Sequence, residues 1–295
     1  MQENAIFYLV FAVQLLLLSY YIPRLVMGRV ERTLRDHPPE TYPKMYPLPR
    51  ENYEQGNRRY RSMNLVILAL GIALLTAIGI WDRNSEGPVL ETIPVIFFLV
   101  QMLPMILLEV SEWSYYRQMR QADRKTKRSA VLRPRKLTDI VSSRLLVAAA
   151  VLIAASIGVD LYVNQHIPDF ALGMGKGTFL RTVNMLVVNA LFAFIIGWNI
   201  YGKRLDPHIN ENDRVRQMQL TVRSMVIMSI VFSVFMIIRE GTDDLGVDQY
   251  QPVLMSIYVQ VIAYFSIVSR LNSLNKDPID YDVYKEDAPA TTQGC

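Results

Sequence analysis

Apolar positions gather into seven continuous blocks: Ala5–Ile22, Leu65–Trp81, Thr92–Val110, Leu145–Val163, Met185–Tyr201, Leu220–Ile238 and Val253–Val268. Strongly charged stretches separate them. Crossing a hydrocarbon core about 30 Å thick takes about 20 helical residues, with a range of about 17–25. Most blocks reach that range directly. Leu220–Ile238 does so by including Arg223, whose long stem lets its charge reach the interface. Isolated strands would leave backbone groups unpaired in lipid, so the blocks predict helices. They also lack the alternation of barrel strands. The expected fold is all-α: a polytopic membrane helix bundle of seven transmembrane helices. It forms one unit over residues 1–275, followed by a polar, acidic tail, 276–295, expected to be disordered. No Lys or Arg precedes the first block and no small-residue cleavage site follows it, so it is expected to be a span rather than a signal peptide.

Composition agrees. Apolar residues make up 51% of the chain and charged residues 20%, with a mean hydropathy of +0.18. An ordinary soluble domain carries about 25% charged residues. The sole cysteine, Cys295, excludes an internal disulfide.

Charge supplies an orientation. Segments 23–61, 111–144, 202–223 and 269–295 hold 27 of the 31 lysines and arginines. The alternate segments hold Arg83, Lys176, Arg181 and Arg239, together with nine acids. The positive-inside rule then predicts the N-terminus outside and the C-terminus in the cytoplasm, in a bacterial-type inner or plasma membrane. Anionic lipids are the expected partners of the basic face, each exposed charge adding about 1 kcal/mol. The basic residues flank apolar blocks rather than one soluble module, so no nucleic-acid partner is expected.

Two connections carry more than topology. Leu25, Val26, Val30 and Leu34 recur at helical spacing among arginines, which predicts that a helix continues from the first span over Arg24–Asp36 along the membrane surface. Residues 37–49 contain five prolines, which predict an extended strap, with Tyr42 and Tyr46 as its contact surface. Residues 111–144 combine Trp113, Tyr115 and Tyr116 with the most basic stretch of the chain. Segments 37–49 and 111–144 are therefore the candidate docking regions for protein partners.

Three short matches fall in order. Tyr21–Leu25 pairs with Tyr201–Leu205, Arg61-Ser62-Met63 with Arg223-Ser224-Met225, and Val100-Gln101 with Val259-Gln260. They suggest a 3+1+3 parallel repeat of the kind some transporters use.

Several chemistries have no residues to carry them. His37, His166, His208 and all eight lysines lie outside the blocks, which leaves no intramembrane haem ligand or Schiff-base amine. No Cys/His cluster suits zinc. The run Gly173–Thr178 fails the phosphate-loop spacing, because Gly177 rather than Ser or Thr follows Lys176. No enzymatic activity and no cofactor are expected.

Polar residues inside spans are the remaining candidates, because lipid penalises them. They are Gln14 in the first span, Gln101 and Glu109 in the third, Asn189 in the fifth and Gln260 in the seventh. Pro94 and Pro104 are candidate kinks of the third span, freeing the carbonyls of Leu90 and Val100. Arg61, Arg144 and Arg223 open spans on the side of Glu109 and are its candidate ion-pair partners. These features favour a small-solute transporter or channel whose pathway passes between Gln101 and Gln260. The alternative is a non-catalytic scaffold, assembly or sensor subunit binding partners at its basic face.

The orientation is testable with Cys295 replaced by serine. A cysteine introduced by Ser85→Cys should react with an impermeant maleimide on intact cells, and one introduced by Thr126→Cys only after permeabilisation. The reverse pattern would refute the assignment.

Overall fold

A computed structural model describes residues 4–84, 90–122, 136–163, 178–202, 206–276 and 279–285. Its described residues contain seven helices long and apolar enough to cross a membrane. The first span is Ala5–Asp36 and the second Arg50–Asn84. The third is Ile93–Ala122, the fourth Ser143–Val163 and the fifth Thr178–Tyr201. The sixth is Glu211–Asp244 and the seventh Asp248–Lys276. The chain is thus an all-helical, polytopic integral membrane protein.

Several helices overrun their apolar blocks. At about 1.5 Å per residue, the second span is about 50 Å long, against a hydrocarbon core of about 30 Å. Its extension, Arg50–Ser62, is polar but sound helix. Glu51 stands in the first turn, and Arg50 Nε donates to Glu54 at 3.1 Å, one turn on. The first, third, sixth and seventh spans overrun in the same direction. Five helices are therefore long enough to project beyond the bilayer on the side where the basic segments lie, here termed the strap end.

Packing divides the spans into two groups. The first, second, third and seventh surround two apolar clusters. Phe7, Phe11, Leu15, Ile67, Ile78, Phe97 and Val253 form one, and Leu18, Ile22, Met27, Tyr60, Ala263 and Ile267 are prominent in the other. The fourth, fifth and sixth spans pack on one another around Met185, Phe232 and Met236, and around Val141, Ile200, Met218 and Val222 at the strap end. The sixth and seventh spans join the groups. Phe235 stacks on Tyr258 at 4.3 Å between ring centroids, and Ser224 Oγ donates to the Phe265 carbonyl at 3.3 Å. This division cuts across the 3+1+3 repeat suggested by the sequence, for which the packing offers no separate support.

Two spans contain a π-helical turn: Leu17–Tyr21 in the first and Tyr264–Val268 in the seventh. Each begins within a turn of a span glutamine, Gln14 or Gln260. Their apolar side chains share the cluster of Leu18, Ala263, Ile267 and Val268.

Pro94 differs from expectation. It lies in the first turn of its helix, where a missing N–H is tolerated, and the Leu90 carbonyl accepts from Ile93 N–H at 3.2 Å. The interior proline is Pro104, which is buried. The tail also differs over 279–285. Two tyrosines overcome its acidic composition, and a short turn, Asp282–Tyr284, packs with Tyr284 buried.

The first, second and third spans pack tightly at Gly71. A Cβ there would lie 2.5 Å from Leu15 Cδ2 and 2.9 Å from Phe97 Cζ. Gly71→Val should destabilise the bundle by about 1–3 kcal/mol through overpacking. The check is a lowered melting temperature in detergent with retained α-helical circular dichroism.

Candidate functional site

The span glutamines meet one another rather than a void. Gln14 is fully buried and Gln101 is 2% exposed. Gln14 Nε2 donates to the Pro94 carbonyl at 3.0 Å and to Gln101 Oε1 at 3.1 Å. Gln101 Nε2 donates to Ser19 Oγ at 2.8 Å. From the seventh span, Ser256 Oγ donates to Gln14 Oε1 at 2.7 Å, and Gln260 Nε2 donates to the Val10 carbonyl at 3.1 Å. The first, third and seventh spans are thereby stitched through five side chains, Gln14, Ser19, Gln101, Ser256 and Gln260, at mid-bundle depth. Gln101 and Gln260 do not face each other across a cavity. Gln101 bonds toward the π turn through Ser19, and Gln260 bonds one helical turn before Gln14.

Asn189 serves the other group. Its Nδ2 donates to the Met185 carbonyl at 2.9 Å, and its Oδ1 accepts from Ser229 Oγ at 2.6 Å. Glu109 is exposed on the outside of the third span. No ion pair joins it to Arg61, Arg144 or Arg223. Arg61 pairs with Glu31, and Arg144 and Arg223 are exposed. The physical reason is rotational: Glu109 lies away from the bundle-facing side of its helix that carries Pro94 and Gln101.

Two buried acids of the spans, Asp160 and Glu240, lie at the end opposite the strap. Glu240 is 1% exposed, and Arg181 Nη1 donates to both of its oxygens at 3.0 and 2.9 Å. The adjacent Arg239 donates through Nη2 to both oxygens of Glu91, each at 3.2 Å. Asp160, fully buried, accepts from Thr182 Oγ1 at 2.8 Å. Sequence reasoning passed over Asp160, although it is the one acid inside Leu145–Val163. The cost argument applied to Glu109 would have found it. Glu240 lies just beyond an apolar block, and hydropathy alone does not mark it.

The strap end is the most elaborate surface. The proline segment is ordered beneath the helices. Tyr115 Oη donates to the Met45 carbonyl at 2.6 Å, and Tyr46 Oη to the His37 carbonyl at 2.5 Å. Tyr46, Tyr53, Tyr115 and Tyr116 form a chain of ring contacts with centroids 5.3–6.0 Å apart. Burial raises the Tyr46 hydroxyl above the ordinary tyrosine range. Against this rests the turn at Asp206, whose Oδ1 accepts from the backbone N–H of His208 at 2.8 Å and of Ile209 at 3.3 Å. The segment 279–285 closes the surface. Tyr284 Oη donates to Asp206 Oδ2, and Tyr281 lies on His37 with ring centroids 4.0 Å apart. Burial and the Asp206 carboxylate both push the Tyr284 hydroxyl well above its usual range.

Beside the strap, the first and second spans flank a shallow groove of about 320 Å³, lined by Glu31, Leu34, Arg50, Glu54, Asn57, Arg58 and Arg61. Among the described residues no group of His, Cys, Asp and Glu is arranged to hold a metal ion. Residues 123–135, the greater part of the basic stretch, and Gly173–Gly177 lie outside the described residues. Comparisons with protein-family models, curated proteins and solved structures find no match.

Two substitutions separate the polar elements by cost. Gln101→Leu leaves Gln14 with the Pro94 carbonyl and should cost about 1 kcal/mol. Arg181→Ala removes the guanidinium that bonds both oxygens of the buried Glu240 carboxylate and should cost about 3–5 kcal/mol. Thermal unfolding of the two purified variants should rank them in that order.

Proposed function

We propose that the chain is a non-catalytic membrane subunit, a scaffold or assembly platform that holds protein partners at its strap end. The observation carrying this reading is the construction of that end. Three segments distant in sequence, 37–49, 206–209 and 279–285, are fastened by tyrosine hydroxyls and ring contacts onto helices that project beyond the bilayer. Tyrosine combines a broad apolar face with a hydrogen-bonding tip and few rotatable bonds, which suits it to recognition surfaces. The mid-bundle glutamines support the same reading, since their donors end on protein acceptors and require no water-filled path. The charge distribution supports an orientation with the strap end in the cytoplasm. There the groove of Arg50, Arg58 and Arg61 lies at a level suited to anionic headgroups.

Small-solute transport is the second reading. The observation favouring it is Asp160, a carboxylate buried in the fourth span beside Thr182, because buried ionisable residues in spans commonly mark ion pathways.

Two measurements decide between the readings. Proteoliposomes containing the wild-type chain should show no flux of cations, anions, amino acids or sugars above protein-free vesicles. A photo-crosslinking residue at position 42 should yield a discrete protein adduct in native membranes, while one at the lipid-facing position 194 should not. Flux that Asp160→Asn abolishes in a folded protein would reverse the assignment.

A further inference from the structure

The turn Asp282–Tyr284 occupies a seat with a definable chemistry. Its floor is Asp206, 9% exposed, which offers Oδ2 to an incoming hydroxyl while Oδ1 is engaged by its own turn. One wall is the strap, with the rings of His37 and Tyr42 in edge contact at 4.8 Å. The other is the start of the sixth span, where Asp213 Oδ2 accepts from the backbone N–H of Asp280 at 3.0 Å. Into this seat go two tyrosines three residues apart. Tyr284 is inserted, 6% exposed, with its hydroxyl on Asp206 and its ring 6.1 Å from His208. Tyr281 lies on His37, and Lys285 reaches back over the Tyr42 ring at 5.5 Å. Asp280 shapes the segment by accepting from Asp282 N–H at 3.0 Å, a local turn that presents both rings to the same side.

Little of the segment is committed. Tyr284 is its one buried side chain, while Asp282 and Lys285 are exposed. Among the described residues it is held by the hydroxyl–carboxylate bond, the backbone bond to Asp213, the Lys285–Tyr42 contact and ring contacts, which a segment of the same chemistry reproduces. We propose that the seat between the strap and the Asp206 turn is a recognition site for a partner's acidic segment bearing two tyrosines in the spacing Tyr-Asp-x-Tyr. The chain's own residues 279–285 occupy and shield that site until the partner displaces them. This inference rests on the platform reading, of which it names the site and the class of partner. Tethering explains why the seat is filled in isolation. A segment joined by a short connection has an effective concentration on the order of millimolar, so a free segment of equal affinity competes poorly.

The probe is a fluorescent heptapeptide with the sequence of residues 279–285, and the readout is anisotropy with the purified full chain in detergent. Wild-type protein should bind it weakly. Tyr284→Ala, which empties the seat, should bind it about a hundredfold more tightly. Adding Asp206→Asn to that variant should abolish the gain, as should a probe carrying Phe in place of the second tyrosine. Equal binding to wild type and Tyr284→Ala, or binding to neither, overturns the proposal. If Tyr284→Ala does not fold, Tyr284→Phe replaces it, since that change removes the hydroxyl alone. The same two outcomes then overturn the proposal. The flux and crosslinking measurements do not depend on this peptide, so the platform reading and the seat fail separately.

Discussion

Lipid supplies neither a donor nor an acceptor, and that constraint organises the interior of this bundle. In water an unmatched glutamine hydrogen-bonds to solvent, whereas at mid-bilayer it must find protein. Gln14 shows the consequence. Its amide spans two acceptors on the third span and its oxygen takes a donor from the seventh, so one side chain fixes the rotation of three helices at once. Apolar packing does not do this by itself, because lipid tails are as apolar as the leucines they would replace. The π turns belong to the same solution. Widening the first helix at Leu17–Tyr21 accompanies the placement of Ser19 Oγ under Gln101, and the seventh span widens one helical turn past Gln260.

Away from the bilayer centre the chain uses stronger and more exposed interactions. Arg239 and Glu240 are consecutive, so their side chains leave the sixth span about 100° apart and reach different neighbours. One meets Glu91 at the entrance of the third span and the other meets Arg181 on the fifth. The sixth span is thus pinned to both packing groups at one end. At the other end it is pinned to the seventh, where Arg216 donates to the Ser273 carbonyl at 3.1 Å. The two helical groups, already in contact along the sixth and seventh spans, are thus further joined by the Arg239–Glu91 ion pair.

The legible part of the fold was the part lipid dictates. Continuous apolar blocks mark the hydrocarbon level, and all seven became helices. Hydropathy is silent on helices in water, which is why Arg50–Ser62 and the start of the sixth span at Glu211 were missed although their spacing is helical. Gln14, Gln101 and Gln260 were legible as costly residues. Their partners were not, because pairing depends on helix rotation, and Gln101 bonds Gln14 and Ser19 rather than Gln260. Composition misread the tail over 279–285. Acidic residues dominate it, yet Tyr281 and Tyr284 find buried or stacked positions that a one-dimensional average cannot register. The strap's ordering was readable, since fixed proline φ angles lower the entropy cost of docking and the tyrosines supply contact area. Its expected extended form was not: Thr41 and Tyr42 N–H bond back to the Pro38 carbonyl, and Pro43–Met45 makes a 3-10 turn.

The interior and the strap end are mechanically one object, and this bears on what the molecule can do. The first span runs from Ala5 to Asp36, and the strap leaves from its end, where His37 N–H still bonds the Thr33 carbonyl at 3.0 Å. The helix clamped by Gln14 in mid-bundle therefore sets the position of the strap end. A transport cycle based on parting the first span from the third and seventh would have to break the bonds of Gln14, Gln101, Ser256 and Gln260 together. Such bonds are worth about 0.6–1.7 kcal/mol each in membranes, and lipid would replace none of them. A platform has the opposite requirement: its surface must stay in place while a peripheral segment moves. In the platform we propose, 279–285 is the part that a partner displaces, while the strap beneath it continues from the first span and so from the glutamine-bonded interior.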